Sequence, residues 1–107
     1  MKIVYLAGKI TGDPDYAGKF AAAAKELTEA GFIVVNPAVL PDGMTYHAYI
    51  KISTAMLDEC EGVCFLPGWF ESAGAKHEFN RAQICGLKMF YFEEWRRDKS
   101  VKTWLNS

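Results

Sequence analysis

Residues 3–7 read IVYLA, an uninterrupted apolar run that stops at Gly8. A strand with one face in water alternates apolar and polar residues, whereas a strand covered on both faces is apolar throughout. A first strand over residues 2–7 (KIVYLA) therefore needs cover on both sides, which helices packed on the two faces of a parallel sheet supply. Three more short apolar runs follow, at residues 32–35 (FIVV), 63–66 (VCFL) and 88–92 (KMFYF), each preceded by a stretch with helical spacing.

The first of those stretches opens at Asp13, placed to cap, with Pro14 suited to the first turn. Phe20, Ala23, Ala24, Leu27 and Ala30 recur at three- and four-residue intervals, and Gly31 supplies the stop. Asn36-Pro37 ends the second strand, because proline lacks a donor and biases its predecessor away from helix. A second helix is predicted over residues 47–60 with Ile50, Met56 and Leu57 as its packing stripe. A third runs over residues 73–85 between Ser72 as cap and Gly86 as stop. The tail, residues 93–107, is predicted to form a last helix carrying Trp95 and Trp104.

The resulting β-α-β-α-β-α-β-α order, wound with right-handed crossovers, gives an α/β fold: a small doubly wound, flavodoxin- or Rossmann-like three-layer sandwich with four or five parallel strands. The whole chain, residues 1–107, is read as one domain, since a second core needs roughly another hundred residues. Half the residues are apolar and 23% are charged, enough apolar surface to sustain a packed globule. Twelve basic residues against thirteen acidic ones leave a net charge of -1, so no global positive field recruits polymeric nucleic acid. No apolar run reaches the roughly 20 residues that span a bilayer, and MKIVYLAGK opens as a strand rather than a signal peptide, so no membrane is expected and the location is expected to be cytoplasmic. The three cysteines, Cys60, Cys64 and Cys85, form no Cys-x-x-Cys knuckle for zinc or redox work and are expected to be small buried hydrophobes.

In a doubly wound sheet the ligand lies beyond the carboxyl ends of the strands, which singles out residues 8–12, Asn36-Pro37, residues 67–72 and the helix start leading to Glu78. In Gly8-Lys9-Ile10-Thr11-Gly12 two glycines let backbone N–H groups face an anion and Lys9 adds charge, which suits a phosphate. The same segment also reads as a plain reversing turn. It has the spacing of neither a Walker A loop nor a dinucleotide fingerprint, so neither ATP hydrolysis nor NAD binding is supported. Ser72-Ala73-Gly74-Ala75 opens the third helix with free N–H groups, a dipole that favours negative charge and small residues that admit a ligand. Glu78 follows about a turn and a half in, where a carboxylate directed at the sheet edge is available as nucleophile or base.

Tyr5-Leu6-Ala7-Gly8 at the end of strand one, the Leu66-Pro67-Gly68-Trp69 turn and Ser72-x-Gly-Ala-x-x-Glu78 at a helix start together resemble the nucleoside 2-deoxyribosyltransferase-like superfamily. The closest likeness is to its short phage- and bacteria-associated branch (DUF4406-like), which is related to the 2′-deoxynucleoside 5′-phosphate N-hydrolases. The resemblance follows the segment order over nearly the whole chain. It implies that Glu78 attacks C1′ of a deoxyribosyl group and expels the base as a glycosyl-enzyme ester, and that Tyr5 hydrogen-bonds and orients this carboxylate. It implies further that residues 8–12 and Ser72 hold a 5′-phosphate, with Lys9 selecting nucleotide over nucleoside. On this reading Gly8, Lys9, Ile10, Gly12, Asn36, Trp69, Ser72 and Gly74 bind substrate, and the indole of Trp69 either stacks on the base or packs as a lid. The partner is a small-molecule nucleoside or nucleotide, no metal or organic cofactor is needed, and a homodimer or larger homo-oligomer is expected, with Phe90, Phe92, Trp95 and Trp104 as candidates for its contact.

The chain departs from the family at one position. Where the family places an aspartate on the second helix to handle the proton of the leaving base, this chain has Ser53 or its neighbour Ile52, and neither titrates. Asp58 is rotated from Ser53 by roughly 140° and should face elsewhere. Glu61 reaches the site only if the third strand begins late, Tyr49 shares the face of Ser53, His47 lies near the loop, and His77 points outward beside Glu78. The missing acid motivates an alternative of another class, a nucleotide-binding module that keeps the phosphate cradle without turnover.

Overall fold

The computed structural model describes residues 1–107. Strands β1 (Ile3–Ala7), β2 (Ile33–Val35), β3 (Gly62–Phe65) and β4 (Lys88–Tyr91) form one sheet in the order β2-β1-β3-β4, every pairing parallel. Helices α1 (Tyr16–Glu29), α2 (Tyr46–Asp58), α3 (Ala73–Cys85) and α4 (Lys99–Leu105) complete the order expected for a small doubly wound fold.

The side-chain period of two along β1 sorts the core into two layers. Val4 and Leu6, with Cys64, Leu66 and Phe90, face Phe20, Ala23 and Leu27 of α1 and Val101 of α4. Tyr5 and Ala7, with Val63 and Phe65, face Leu57 of α2 and Ala75 and Ala82 of α3. β1 is buried from Val4 to Ala7 and flanked by β2 and β3, which is why its sequence carries no polar alternation.

Ends of elements differ from the sequence expectation where side chains compete for backbone groups. Asp13 does not cap α1: its carboxylate accepts the Asp15 N–H at 2.9 Å and the Lys19 ammonium at 2.8 Å, closing a turn ahead of the helix. α2 starts at Tyr46, because the Thr45 hydroxyl accepts the Ala48 N–H at 3.1 Å. Beyond β4 the chain makes a 3₁₀ turn at Trp95–Arg97 before α4, so Trp95 and Trp104 sit in different elements.

Two expectations about surface are corrected. Cys60 and Cys64 are buried, but Cys85, the last residue of α3, is exposed. Of the four tail aromatics, Phe90 and Trp95 are buried and so closed to a contact, whereas Phe92 and Trp104 pack partly buried against the same layer, and Phe32 is surrounded by Phe90, Trp95 and Trp104 at centroid distances of 5.8, 5.9 and 6.3 Å. Covering the sheet on the α1 side consumes Phe90 and Trp95. No helix is long and apolar enough to cross a membrane.

Candidate functional site

From β1 the chain winds outward to β2, and it then returns to place β3 on the other side of β1. Loops leaving the carboxyl ends of β1 and β3 consequently diverge, and the crevice between them is where doubly wound sheets hold ligands. Tyr5, on the α3-facing side of β1, directs its phenol toward this crevice, and its hydroxyl donates a hydrogen bond to Glu78 Oε2. Glu78 reaches it because Ala75, Glu78 and Ala82 form the stripe by which α3 packs on the sheet, and the two alanines let the helix come close.

The pair is dry. Tyr5 is fully buried and Glu78 is 5% exposed. Burial pushes the Glu78 carboxyl up to about 8, while the hydrogen bond from Tyr5 pulls it down. The Tyr5 phenol is held far above its ordinary value, first by burial and then by the charge of Glu78 and its hydrogen bond to it. The buried Ser53 hydroxyl faces the same phenol and favours its ionised form, and it donates to the Ile50 carbonyl at 3.3 Å. Of the two positions in question on α2, Ser53 therefore faces the site and Ile52 is exposed.

Glu78 lies in a cleft of about 290 Å³. One wall is Gly8, Ile10 and Thr11 after β1, a second is Ser72, Gly74 and Ala75 at the start of α3, and a third is the segment between β2 and α2, including Pro37, Leu40, Asp42 and Met44. Tyr16 of α1 and Tyr46 and Tyr49 of α2 complete it. The acidic lining residues are Asp42 and Glu78, and no lysine or arginine lines the cleft. Ser72 caps α3 by accepting the Ala75 N–H at 3.1 Å. Gly8 allows the close approach at the end of β1, since a Cβ there would sit 3.1 Å from the Phe20 ring and 3.2 Å from Leu66 Cβ.

The structure thus brings together six of the ten residues named from sequence: Tyr5, Glu78, Gly8, Ile10, Ser72 and Gly74. The other four lie elsewhere. Lys9 and Gly12 line a separate cavity of about 670 Å³ between α1 and the turn after β3. Asn36 spends its side-chain oxygen on the Ala38 N–H at 2.9 Å, capping the 3₁₀ turn Pro37–Val39. The Trp69 indole packs on Phe65 and stacks on Phe79, with ring centroids 4.8 and 5.0 Å away, and does not line the cleft. Asp58 makes a two-point ion pair with Arg81 at 3.0 and 2.8 Å. Glu61 accepts the Ile3 N–H at 3.0 Å, at the amino ends of the strands and away from the cleft. His47 and His77 are exposed.

Of the wall between β2 and α2, sequence reasoning found Pro37 but not the residues after it. There the Tyr16 hydroxyl donates to Asp42 Oδ1 at 2.8 Å, tying α1 to this segment. No local pattern marks such a contact; the only signal was the cluster Pro41-Asp42-Gly43 at the carboxyl end of a sheet strand. No group of three or more His, Cys, Asp or Glu side chains is gathered to hold a metal ion.

A family model described as "Domain of unknown function (DUF4406)" matches residues 2–91, from β1 through β4. No curated protein matches the chain.

Proposed function

The chain belongs to the DUF4406 family, and we propose that it cleaves or transfers the N-glycosidic bond of a deoxynucleoside or deoxynucleoside 5′-monophosphate through a covalent ester between Glu78 and the sugar. The observation that carries this reading is the buried Tyr5–Glu78 pair opening onto the cleft at the β1/β3 crevice. A carboxylate is a competent nucleophile at an oxocarbenium-like carbon, and the ester splits one hard displacement into two easier ones. Tyr5 fixes one oxygen of Glu78 and stabilises its charged form, leaving the other oxygen for C1′. The resemblance to the nucleoside 2-deoxyribosyltransferase-like superfamily supports the same assignment, and the base or water that accepts the sugar decides between transferase and hydrolase.

A 5′-phosphate would be held without Lys9, by backbone N–H groups of residues 8–11 and by Ser72 and Gly74 at the start of α3. One observation favours a second reading, a binding module without turnover: with its carboxyl near 8, Glu78 is largely protonated at neutral pH, a form that donates to a sugar hydroxyl and is a poor nucleophile.

The test is base release from a panel of deoxynucleosides and their 5′-monophosphates, followed by chromatography for the parent chain and Glu78→Gln. Release by the parent that disappears in the variant is the expected outcome. Equal release by both chains overturns the mechanism. No release by the parent, with nucleotide binding that survives Glu78→Gln, selects the binding module.

A further inference from the structure

Expelling a nucleobase leaves an electron pair on its nitrogen, and that nitrogen must receive a proton or a strong hydrogen bond for departure to be fast. The groups lining the cleft that carry a transferable proton or a carboxylate are few. Asp42 lies exposed at the rim, where it already accepts the Tyr16 hydroxyl. Tyr46 is 61% exposed at the mouth. Tyr5, fully buried behind Glu78 and not part of the lining, gives its hydroxyl to that carboxyl. Tyr49 is different: it lies one turn before Ser53 on α2, lines the cleft with Glu78, is half-buried, and has its hydroxyl engaged by no other side chain.

We propose that Tyr49 is the catalytic acid of this site, passing its phenolic proton to the departing base and recovering a proton from the attacking water. The proposal rests on the glycosidic reading above. In the first step a Glu78 oxygen bonds to C1′, the C1′–N bond breaks with its pair going to the base, and the Tyr49 proton moves to that base. The products are a neutral base, a glycosyl ester and a phenolate. In the second step water bonds to C1′, the ester C1′–O bond breaks with its pair returning to Glu78, and the water proton moves to the phenolate. Both residues end as they began.

The two residues are also coupled in the direction this sequence needs. Burial and then the negative charge of Glu78 hold the Tyr49 phenol above its ordinary value. Ester formation removes that charge, so the phenol becomes a stronger acid as the base begins to leave.

A purine methylated at N7 carries a positive charge and leaves as a neutral base, so it needs no acid. The experiment compares kcat/KM for an unmodified purine deoxynucleoside and its N7-methylated counterpart in the parent, Tyr49→Phe and Asp42→Asn. Tyr49→Phe removes a hydroxyl with no partner in the chain, so the fold is expected to survive, and the thermal unfolding midpoint checks it. We expect Tyr49→Phe to lower kcat/KM by about 10²- to 10⁴-fold for the unmodified base and to leave the methylated substrate nearly unchanged. An equal loss on both substrates, or no loss on either, overturns the proposal and leaves the Glu78 reading standing. A selective loss in Asp42→Asn rather than Tyr49→Phe moves the role to Asp42. A parent chain that releases neither base removes both readings together.

Discussion

Glu78 should make the protein less stable as pH rises, and replacing it by glutamine should remove that penalty. Its carboxyl is pushed from an ordinary value of 4.5 up to about 8 in the folded state, chiefly by burial. Below about 4.5 both folded and unfolded chains hold the proton, and the residue adds no pH dependence. Between about 4.5 and 8 the unfolded chain has lost the proton and the folded chain has kept it, so stability falls with rising pH. Above about 8 both forms are ionised and the full cost is present. The shift corresponds to a cost on the order of 5 kcal/mol, and at 5% exposure little solvent screening relieves it. Glutamine keeps the volume, and its carbonyl still accepts from Tyr5. The unfolding midpoint, followed by circular dichroism from pH 4 to 9.5, should therefore agree closely for parent and Glu78→Gln at pH 4. At pH 9 the variant should lead by roughly 20 °C, since each 1 kcal/mol moves the midpoint by about 4 °C or more in a domain of this size. Other titrating groups act equally in both chains and cancel in the difference. A difference that stays constant between pH 4 and 9 would refute the buried-carboxylate argument.

The same ionisation should govern rate, with the opposite sense. If the carboxylate is the nucleophile, kcat/KM for base release climbs with pH and levels above about 8; in Tyr5→Phe the climb moves to higher pH, because the lost hydrogen bond favoured the charged form, and a flat profile would exclude Glu78. Two glycines mark close approaches: a Cβ at Gly62 would lie 2.6 Å from the Trp104 ring and 3.0 Å from the Lys88 carbonyl oxygen, against 3.1 Å from Phe20 at Gly8. Urea unfolding should show Gly8→Ala and Gly62→Ala each losing about 1–3 kcal/mol, and a neutral result at Gly62 would contradict the seating of α4 on the sheet.

What could be read in the sequence was whatever a short-range period encodes. The period of two along IVYLA puts Tyr5 and Ala7 on one face, and the helical spacing of Ala75, Glu78 and Ala82 puts Glu78 on the stripe that meets it. These two local patterns and the element order suffice to bring together residues 73 positions apart. Where the ladder stops at Ala7, residue parity carries no further information, so Lys9 falls into the neighbouring cavity although it adjoins Gly8 in sequence. Asn36 and Trp69 show a second limit, since each has a nearer partner than any ligand: a backbone N–H two residues on for Asn36, and the face of Phe79 for Trp69. The third wall is set by a long crossover, whose residues reach the cleft because α2 must span the sheet face from β2 to β3. That geometric demand also turns the face shared by Tyr49 and Ser53 toward Glu78, so the acid proposed for this site comes from a four-residue helical spacing together with the topology of the sheet.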